Sequence, residues 1–265
     1  MIVKELFTYP MKSTRGILME EVNIQFSGFT NDRKVAVIDP KGKIITGREV
    51  PKLLNLMTSI DNGELVISGT SAENISFILP TGASAKTFKL FGNQVEGQLL
   101  DDSANAWIST YLNGDYRMIF LGKNLNAVMK KRGGKADENK HYSDSSPIHL
   151  INLKSLIFLN SKLKTKVDAR NFRPNIVIDG DEPFEEDSWS EIKINDCRFR
   201  VQELTNRCIF TTIDPETANR DKGMQPLKQL AALRLKRAMR PSFGIGLVPL
   251  TEGKINKRAT SHIIK

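Results

Sequence analysis

Short apolar runs bounded by turn residues dominate the chain. ELVISG (64–69), ISFILP (75–80), YRMIFLG (116–122), NIVIDG (175–180) and GIGLVPL (244–250) are rich in β-branched or aromatic residues, the signature of short strands. IKINDCRFRV (192–201) alternates apolar and polar positions on either side of Asn195 and Asp196, which predicts a hairpin. Its phase groups Cys197 with Phe199 and Val201, against Arg198 and Arg200, so Cys197 is expected in a core. Helical signals are fewer. VPKLLNLM carries Pro51 in its first turn, SANAWISTYLNG has Ser103 as its expected N-cap, and NLKSLIFLNSKL (152–163) has Asn152. Regular strand–helix–strand alternation is missing, which argues against a doubly wound parallel sheet. The pattern fits a mainly β (α+β) protein, a barrel or curved antiparallel sheet with added helices. The polar stretch KKRGGKADENKHYSDSS (130–146) reads as a linker near the middle of the chain.

Composition sharpens this only slightly. A chain of 265 residues, 40% hydrophobic and 26% charged, can bury one large core or two smaller ones. No apolar run approaches the roughly 18 residues needed to span a bilayer. The opening MIVKELFTYPMKS turns polar too early for an export signal, and two cysteines fit a reducing compartment, so the cytoplasm is expected. The net charge of +9 points to an anionic ligand or partner. Its densest clusters, MKKRGGK (129–135), RLKRAMR (234–240) and KINKR (254–258), hold no aromatic residue on which a base could stack, which argues against single-stranded nucleic acid.

Candidate chemistry centres on NRCIFTTIDP (206–215). Arg207 precedes Cys208, and a neighbouring positive charge favours the thiolate, the form that attacks carbon or binds metal. Packing, a disulfide, a nucleophile and a metal ligand all remain open for Cys208 at this point. His141, His149 and His262 have no zinc-site spacing, and no GxSxG elbow occurs. FGIG (243–246) lacks the third glycine of a dinucleotide motif and fits a bulge or tight strand packing. The carboxylates of GDEPFEEDSWSE (180–191) read as an acidic loop in solvent. Scattered anion binders remain: Lys12 and Ser13, Arg33, Ser145 and Ser146, and Arg173 to Asn175.

Taken in order, these blocks resemble the MOSC proteins, named for the C-terminal domain of molybdenum cofactor sulfurase, and within them the amidoxime-reducing enzymes and their bacterial counterparts. YPMKSTRGI (9–17), DRKVAVID (32–39) and ITGREVPKL (45–53) carry the resemblance in the first half. YSDSSPIHLINLKSLIFLN (142–160), NFRPNIVIDG (171–180), PFEEDSW (183–189), NRCIFTTIDPET (206–217) and PLKQL (226–230) carry it in the second. The resemblance implies a MOSC-type β-barrel with added helices over residues 119–265, packed against a smaller β-rich domain over residues 1–118.

It also implies a molybdenum–pterin cofactor, molybdopterin, with Cys208 as the protein ligand to the metal. Free cysteine has a pKa of about 8.5, and a high-valent metal would deprotonate it. By motif position Lys12, Ser13, Arg33, Asp144, Ser145, Ser146, Arg173, Asn175 and Asn206 would hold the cofactor, and Asp144, beside Cys208, is the second catalytic candidate, placed where a proton donor would be sought. The implied activity is reduction of small N-hydroxylated substrates (amidoximes, hydroxylamines, N-hydroxylated bases). Electrons would come from a separate ferredoxin- or flavin-type reductase, because the chain lacks the roughly four cysteines an iron–sulfur cluster needs. The competing readings are a non-catalytic cofactor or sulfur carrier and a metal-free protein for pyridoxal phosphate or nucleic acid. Three positions depart from the pattern. Thr205 stands where a second cysteine is common, Asn206 where serine is, and Gly47 where glutamine is. The closing strand is expected to fray into INKRATSHIIK.

Overall fold

The structure, a computed structural model, describes residues 1–69, 74–82, 84–122, 127–128, 139–234 and 240–264. Its largest sheet runs through eight strands in spatial order: Ile17–Met19, Ile2–Thr8, Ile176–Asp179, Ile148–Asn152, Ser242–Pro249, Cys197–Asn206, Glu191–Ile194 and Ser261–Ile263. The sheet then closes on itself. The Val3 N–H donates to the Ala259 carbonyl at 2.9 Å, and the Ser261 N–H to the Met1 carbonyl at 3.0 Å. Inward positions repeat with period two, so Val3, Ile148, Leu150, Ile176, Ile192 and Phe199 meet in one fully buried core. Cys197 lies in that core, as its phase predicts, and Asn195 forms the left-handed corner of the expected hairpin.

The C-terminus is not frayed. Gly253–Asn256 pairs with Glu21–Gln25, and Ser261–Ile263 with Glu191–Ile194's last three residues. Ile255 and Ala259 are the buried anchors, and the polar residues around them hide the strand pattern in the sequence. One strand–helix–strand unit also occurs: α2 (Leu153–Ser161) links the parallel strands Ile148–Asn152 and Ile176–Asp179. The Asn152 side chain caps it by accepting from the Lys154 N–H at 2.9 Å.

A second core forms between a four-stranded sheet (Val35–Ile38, Arg117–Phe120, Asn93–Leu99, Lys86–Leu90) and the meander Met57–Asp61, Glu64–Ser68, Ile75–Ile78. Helix α1 (Asp102–Leu112) buries Ala104 and Ile108 against it. Asp101, not Ser103, is the cap. Its carboxylate accepts both the Ala104 N–H and the Ser103 hydroxyl at 2.8 Å, and a carboxylate suits a helix N-terminus better than a hydroxyl. The segment after Pro51 is a single 3-10 turn, Pro51–Asn55. The proposed division between residues 118 and 119 is crossed by strands: Ile2–Thr8 and Glu21–Gln25 both pair with second-half residues.

Two polar stretches turn inward. Residues 130–138 of the expected linker, and the cluster 129–135, lie outside the described residues. Residues 139–146 do not behave as a linker, because Lys140, His141 and Tyr142 are buried. Burial and the neighbouring Lys12 push the Lys140 ammonium down to about 8, and burial pushes His141 down to about 3. Of the cluster 234–240, Arg234 is buried and pairs with Asp187, so it is no solvated cation.

The acidic stretch is a solvent loop only in part: Asp181 and Glu182 are exposed, but Glu186 turns inward. Glu186 is fully buried, and the Ser155 hydroxyl lies 2.8 and 3.0 Å from its two oxygens. Burial raises its pKa to about 7. The folded chain therefore holds this proton more tightly than the unfolded chain. The associated stability is complete below about pH 4.5 and is lost as pH rises towards 7. Glu186→Gln is expected to flatten that slope. At pH 8 the variant should be more stable than the wild type, with a differential of roughly 2–3 kcal/mol across the window, read from thermal melts between pH 4.5 and 8.

Candidate functional site

Segments distant in sequence converge on one cleft of about 790 Å³, partly open to solvent. Its walls carry all ten residues that the motifs single out: Lys12, Ser13, Arg33, Asp144, Ser145, Ser146, Arg173, Asn175, Asn206 and Cys208. They come from the turn after the first strand, the turn at 31–33, the segment before Ile148, the junction before Ile176 and the end of the long strand Cys197–Asn206.

Local backbone explains how these turns present side chains. Ser13, Arg33 and Arg173 have φ values of 71°, 51° and 54°, left-handed conformations that cost a non-glycine residue free energy. The two arginines are held by neighbours. The Asp32 carboxylate is buried; it accepts the Tyr9 N–H at 2.8 Å and pairs with the Arg33 guanidinium. Arg33 donates to Asn175 Oδ1 at 3.1 Å and to the Arg173 carbonyl at 3.2 Å. Arg173 donates to the Thr14 carbonyl at 2.6 Å. The Tyr9 ring lies against both guanidiniums, 4.6 Å from that of Arg33 and 4.1 Å from that of Arg173, and its hydroxyl donates to the Pro174 carbonyl at 3.0 Å. Tyr9 and Asp32 thus fix the two arginines that join the halves of the chain.

The electrostatics are lopsided. Lys12, Arg33, Arg48, Arg173 and Arg207 line the cleft, with Asp144 as the one carboxylate among its lining residues. Burial lowers the pKa of Arg173 and of Arg207 to about 10, and the crowding of like charges adds to it, yet both stay charged at neutral pH. An anion in the cleft would relieve that crowding. Asp144 is half exposed at the cleft mouth and is ionised: partial desolvation by the surrounding wall raises its proton affinity, but Lys12 and Arg48 outweigh this and hold the carboxyl below the ordinary range. Lys12 pairs with one of its oxygens, and Arg48 meets the other at 2.6 Å. A carboxylate locked between two cations is a counter-ion, and it does not fit the role of proton donor.

Several buried donors and acceptors have no hydrogen-bond partner among the described residues. Five of them, Ser143 Oγ, Ser146 Oγ, Thr205 Oγ1, Arg173 Nη2 and Arg207 Nε, belong to residues that line the cleft, while others, such as Thr8 Oγ1, Asp187 Oδ1, Arg234 Nε and Ser261 Oγ, lie elsewhere. Unpaired buried polar atoms are costly, and the five gathered on this one cleft suit an oxygen-rich ligand. Ser146 owes its position to Gly246, where a Cβ would come within 1.9 Å of its Oγ. The glycines of FGIG therefore serve close packing, as their motif suggests.

Cys208 is a free, partly exposed thiol on the same wall, immediately before the 3-10 turn Ile209–Thr212. Its carbonyl accepts the Thr211 N–H at 3.1 Å and the Thr211 hydroxyl at 2.9 Å, which fixes the backbone beneath the sulfur. Among the described residues, no group of three or more His, Cys, Asp or Glu is placed to hold a metal. A metal here would need ligands that it brings with it. The donor set suits a phosphate-bearing, metal-carrying cofactor: cations and hydroxyls for the anionic part, and one thiol for the metal.

Arg48, Phe172, Phe210 and His149 also line the cleft and were not singled out by the motifs, and Arg207, expected only to favour the Cys208 thiolate, joins the cations of the wall. Arg207 donates to the Phe172 carbonyl at 2.6 Å, and His149 Nε2 lies 3.1 Å from the Phe243 carbonyl. Phe210 explains a departure in the motif: a Cβ at Gly47 would come within 2.2 Å of its ring, which also lies 5.3 Å from the Arg173 guanidinium.

The chain is similar to known proteins over most of its length. The "MOSC domain" family matches residues 137–258, and the "MOSC N-terminal beta barrel domain" matches residues 1–115. "Mitochondrial amidoxime reducing component 2" of Rattus norvegicus is 32% identical, over 88% of this chain and 72% of that protein. "Mitochondrial amidoxime-reducing component 1" of Homo sapiens is 31% identical over the same shares. Among solved structures, the YUAD protein from Bacillus subtilis superposes with a TM-score of 0.45 at 10% identity, over 100% of this chain and 96% of that one.

Proposed function

The chain belongs to the MOSC family, and on that premise we propose that it is a molybdenum cofactor-binding oxidoreductase that reduces N-hydroxylated compounds. Supporting this is one observation above the others. Five cations and a set of unpartnered buried donors converge on a single cleft whose wall carries Cys208.

In this reading Arg33, Arg173, Lys12 and the hydroxyls of Ser13, Ser145 and Ser146 hold the anionic and polar parts of the pterin cofactor. Asn175 positions Arg33, Asn206 flanks the ligand position, and Cys208 binds the metal as thiolate. When bound, the cofactor supplies a redox-active metal able to exchange oxygen and electrons with an N–OH group. Asp144 holds Lys12 and Arg48 at the cleft wall. The overall conversion takes an N–OH group, two electrons and two protons to N–H and water. Electrons would come from a separate ferredoxin- or flavin-type reductase, and the cytoplasm remains the proposed compartment. Among the described residues no helix is long and apolar enough to cross a membrane.

The test is to express the chain in a host that makes the pterin cofactor and to measure molybdenum and pterin per chain. Benzamidoxime reduction is then assayed with an artificial electron donor. Near-stoichiometric metal with turnover is the expected result. Metal without turnover would favour a carrier, and a metal-free protein would end the proposal.

A further inference from the structure

The hairpin between Lys86–Leu90 and Asn93–Leu99 turns through Phe91 and Gly92, with φ of 50° and 80°. Both corners of this two-residue loop are left-handed, a requirement normally met by Asn-Gly or Gly-Gly. Phenylalanine there is a costly choice, and local structure gives it no reason. Its ring gives one. Phe91 is 48% exposed, a large apolar surface left open at a turn. The ring lies 4.6 Å from the Arg48 guanidinium and 5.4 Å from Lys12 Nζ, the two cations that grip Asp144 at the cleft.

Beyond the ring runs an open groove of about 990 Å³, lined by Phe91, Lys41, Lys43 and Lys89. It shares Thr46 and Arg48 with the candidate site, so the two are continuous. Lys43 pairs with Glu49, and the Asp39 carboxylate is taken up by the N–H groups of Lys41 and Lys43, each at 2.9 Å. Among the described residues, Lys41 and Lys89 have no ion-pair partner. The groove thus offers an aromatic face at the mouth of the cleft and two uncommitted ammonium groups further out.

We propose that this groove is the outer part of the substrate site. It takes a compound whose flat aromatic ring stacks on Phe91 and whose anionic tail is met by Lys41 and Lys89. This deepens the oxidoreductase reading and rests on it for the reacting group alone; the groove's ring-and-anion preference is a binding property. Stacking on an exposed aromatic ring gives selectivity for planar over aliphatic compounds. Two exposed ammonium groups add a smaller preference for an anionic tail.

The experiment uses the full chain loaded with metal and three non-reducible amides as probes: hexanamide and benzamide, which are neutral, and 4-carboxybenzamide, which carries the anionic tail. Binding is measured by calorimetry, and kcat and KM are measured separately for the matching amidoximes. The wild type should bind 4-carboxybenzamide about fivefold more tightly than benzamide, and hexanamide most weakly. Phe91→Ala should weaken both aromatic probes about tenfold and leave hexanamide unchanged. The double variant Lys41→Glu/Lys89→Glu should abolish the carboxylate preference while leaving benzamide binding and benzamidoxime kcat intact. The effects on amidoximes should fall on KM. Equal binding of aromatic and aliphatic probes by the wild type would overturn the proposal, as would unchanged ratios in these variants. Both failures can occur in a protein that still reduces benzamidoxime. Conversely, a chain that takes up no metal in a cofactor-making host yet keeps the probe ratios would sink the oxidoreductase and leave the groove standing.

Discussion

Cys208→Ala is expected to lose nearly all its molybdenum and to lower benzamidoxime reduction at least 100-fold, while its melting temperature stays close to that of the wild type. The thiol is partly exposed on the cleft wall, so its removal leaves no core cavity. No cluster of His, Cys, Asp or Glu among the described residues could take over as ligand. Cations of the cleft would still attract the anionic part of the cofactor, so some pterin should remain even where metal is lost. Measuring molybdenum and pterin separately resolves the two. The chain carries its own control in Cys197, which is 1% exposed in the barrel core. Cys197→Ala should cost about 1–2 kcal/mol in stability and leave metal and activity intact. Equal metal in wild type and Cys208→Ala, with equal turnover, would remove Cys208 from the site.

The sequence made parts of this site legible because they are local. Lys12 and Ser13, Asp144 to Ser146, Arg173 and Asn175, and Asn206 to Cys208 each sit in a short block whose residue order carries the signal. The cleft collects all of them. Strands with clear period-two burial, such as Glu191–Ile194 and the first three residues of Cys197–Asn206, were legible for the same reason. What could not be read depends on contacts across the chain. The first strand pairs with Ile176–Asp179, and Asp32, Tyr9 and Arg48 gain their roles only once the turns are left-handed and the halves are joined. Residues 139–146 looked like linker because their lysine, histidine and tyrosine are polar. Their burial rests on carbonyl partners elsewhere, such as Glu96 for the Tyr142 hydroxyl at 2.7 Å. Phe91 was invisible because a lone aromatic at a turn has no pattern around it.

Asn175 tests how far the cleft and the fold are one construction. Its side chain is fully buried at the junction before Ile176–Asp179. Oδ1 accepts from the His149 N–H and from Arg33 Nη1, both at 3.1 Å, and Nδ2 donates to the Phe7 carbonyl at 3.2 Å. One side chain therefore ties the first strand, the strand at 148–152 and the arginine of the 31–33 turn. Asn175→Ala leaves an N–H, a carbonyl and one guanidinium nitrogen short of a partner. At about 1–3 kcal/mol for each unsatisfied buried group, partly relieved by water, the expected loss is about 3–4 kcal/mol. For a chain of this size that corresponds to a fall in melting temperature of roughly 10 °C. Cofactor occupancy should fall as well, because Arg33 loses one of the contacts that aim it. Asn175→Asp separates the two effects. It keeps the acceptor for Arg33 but loses the donor to Phe7 and adds negative charge, so it should recover part of the stability while occupancy stays low. Asn206→Ala should change the melting temperature little, because no side-chain hydrogen bond of Asn206 occurs among the described residues, and lower occupancy alone. If Asn175→Ala melts with the wild type, the two halves are held together by other contacts, and the arginines of the cleft are aimed without it.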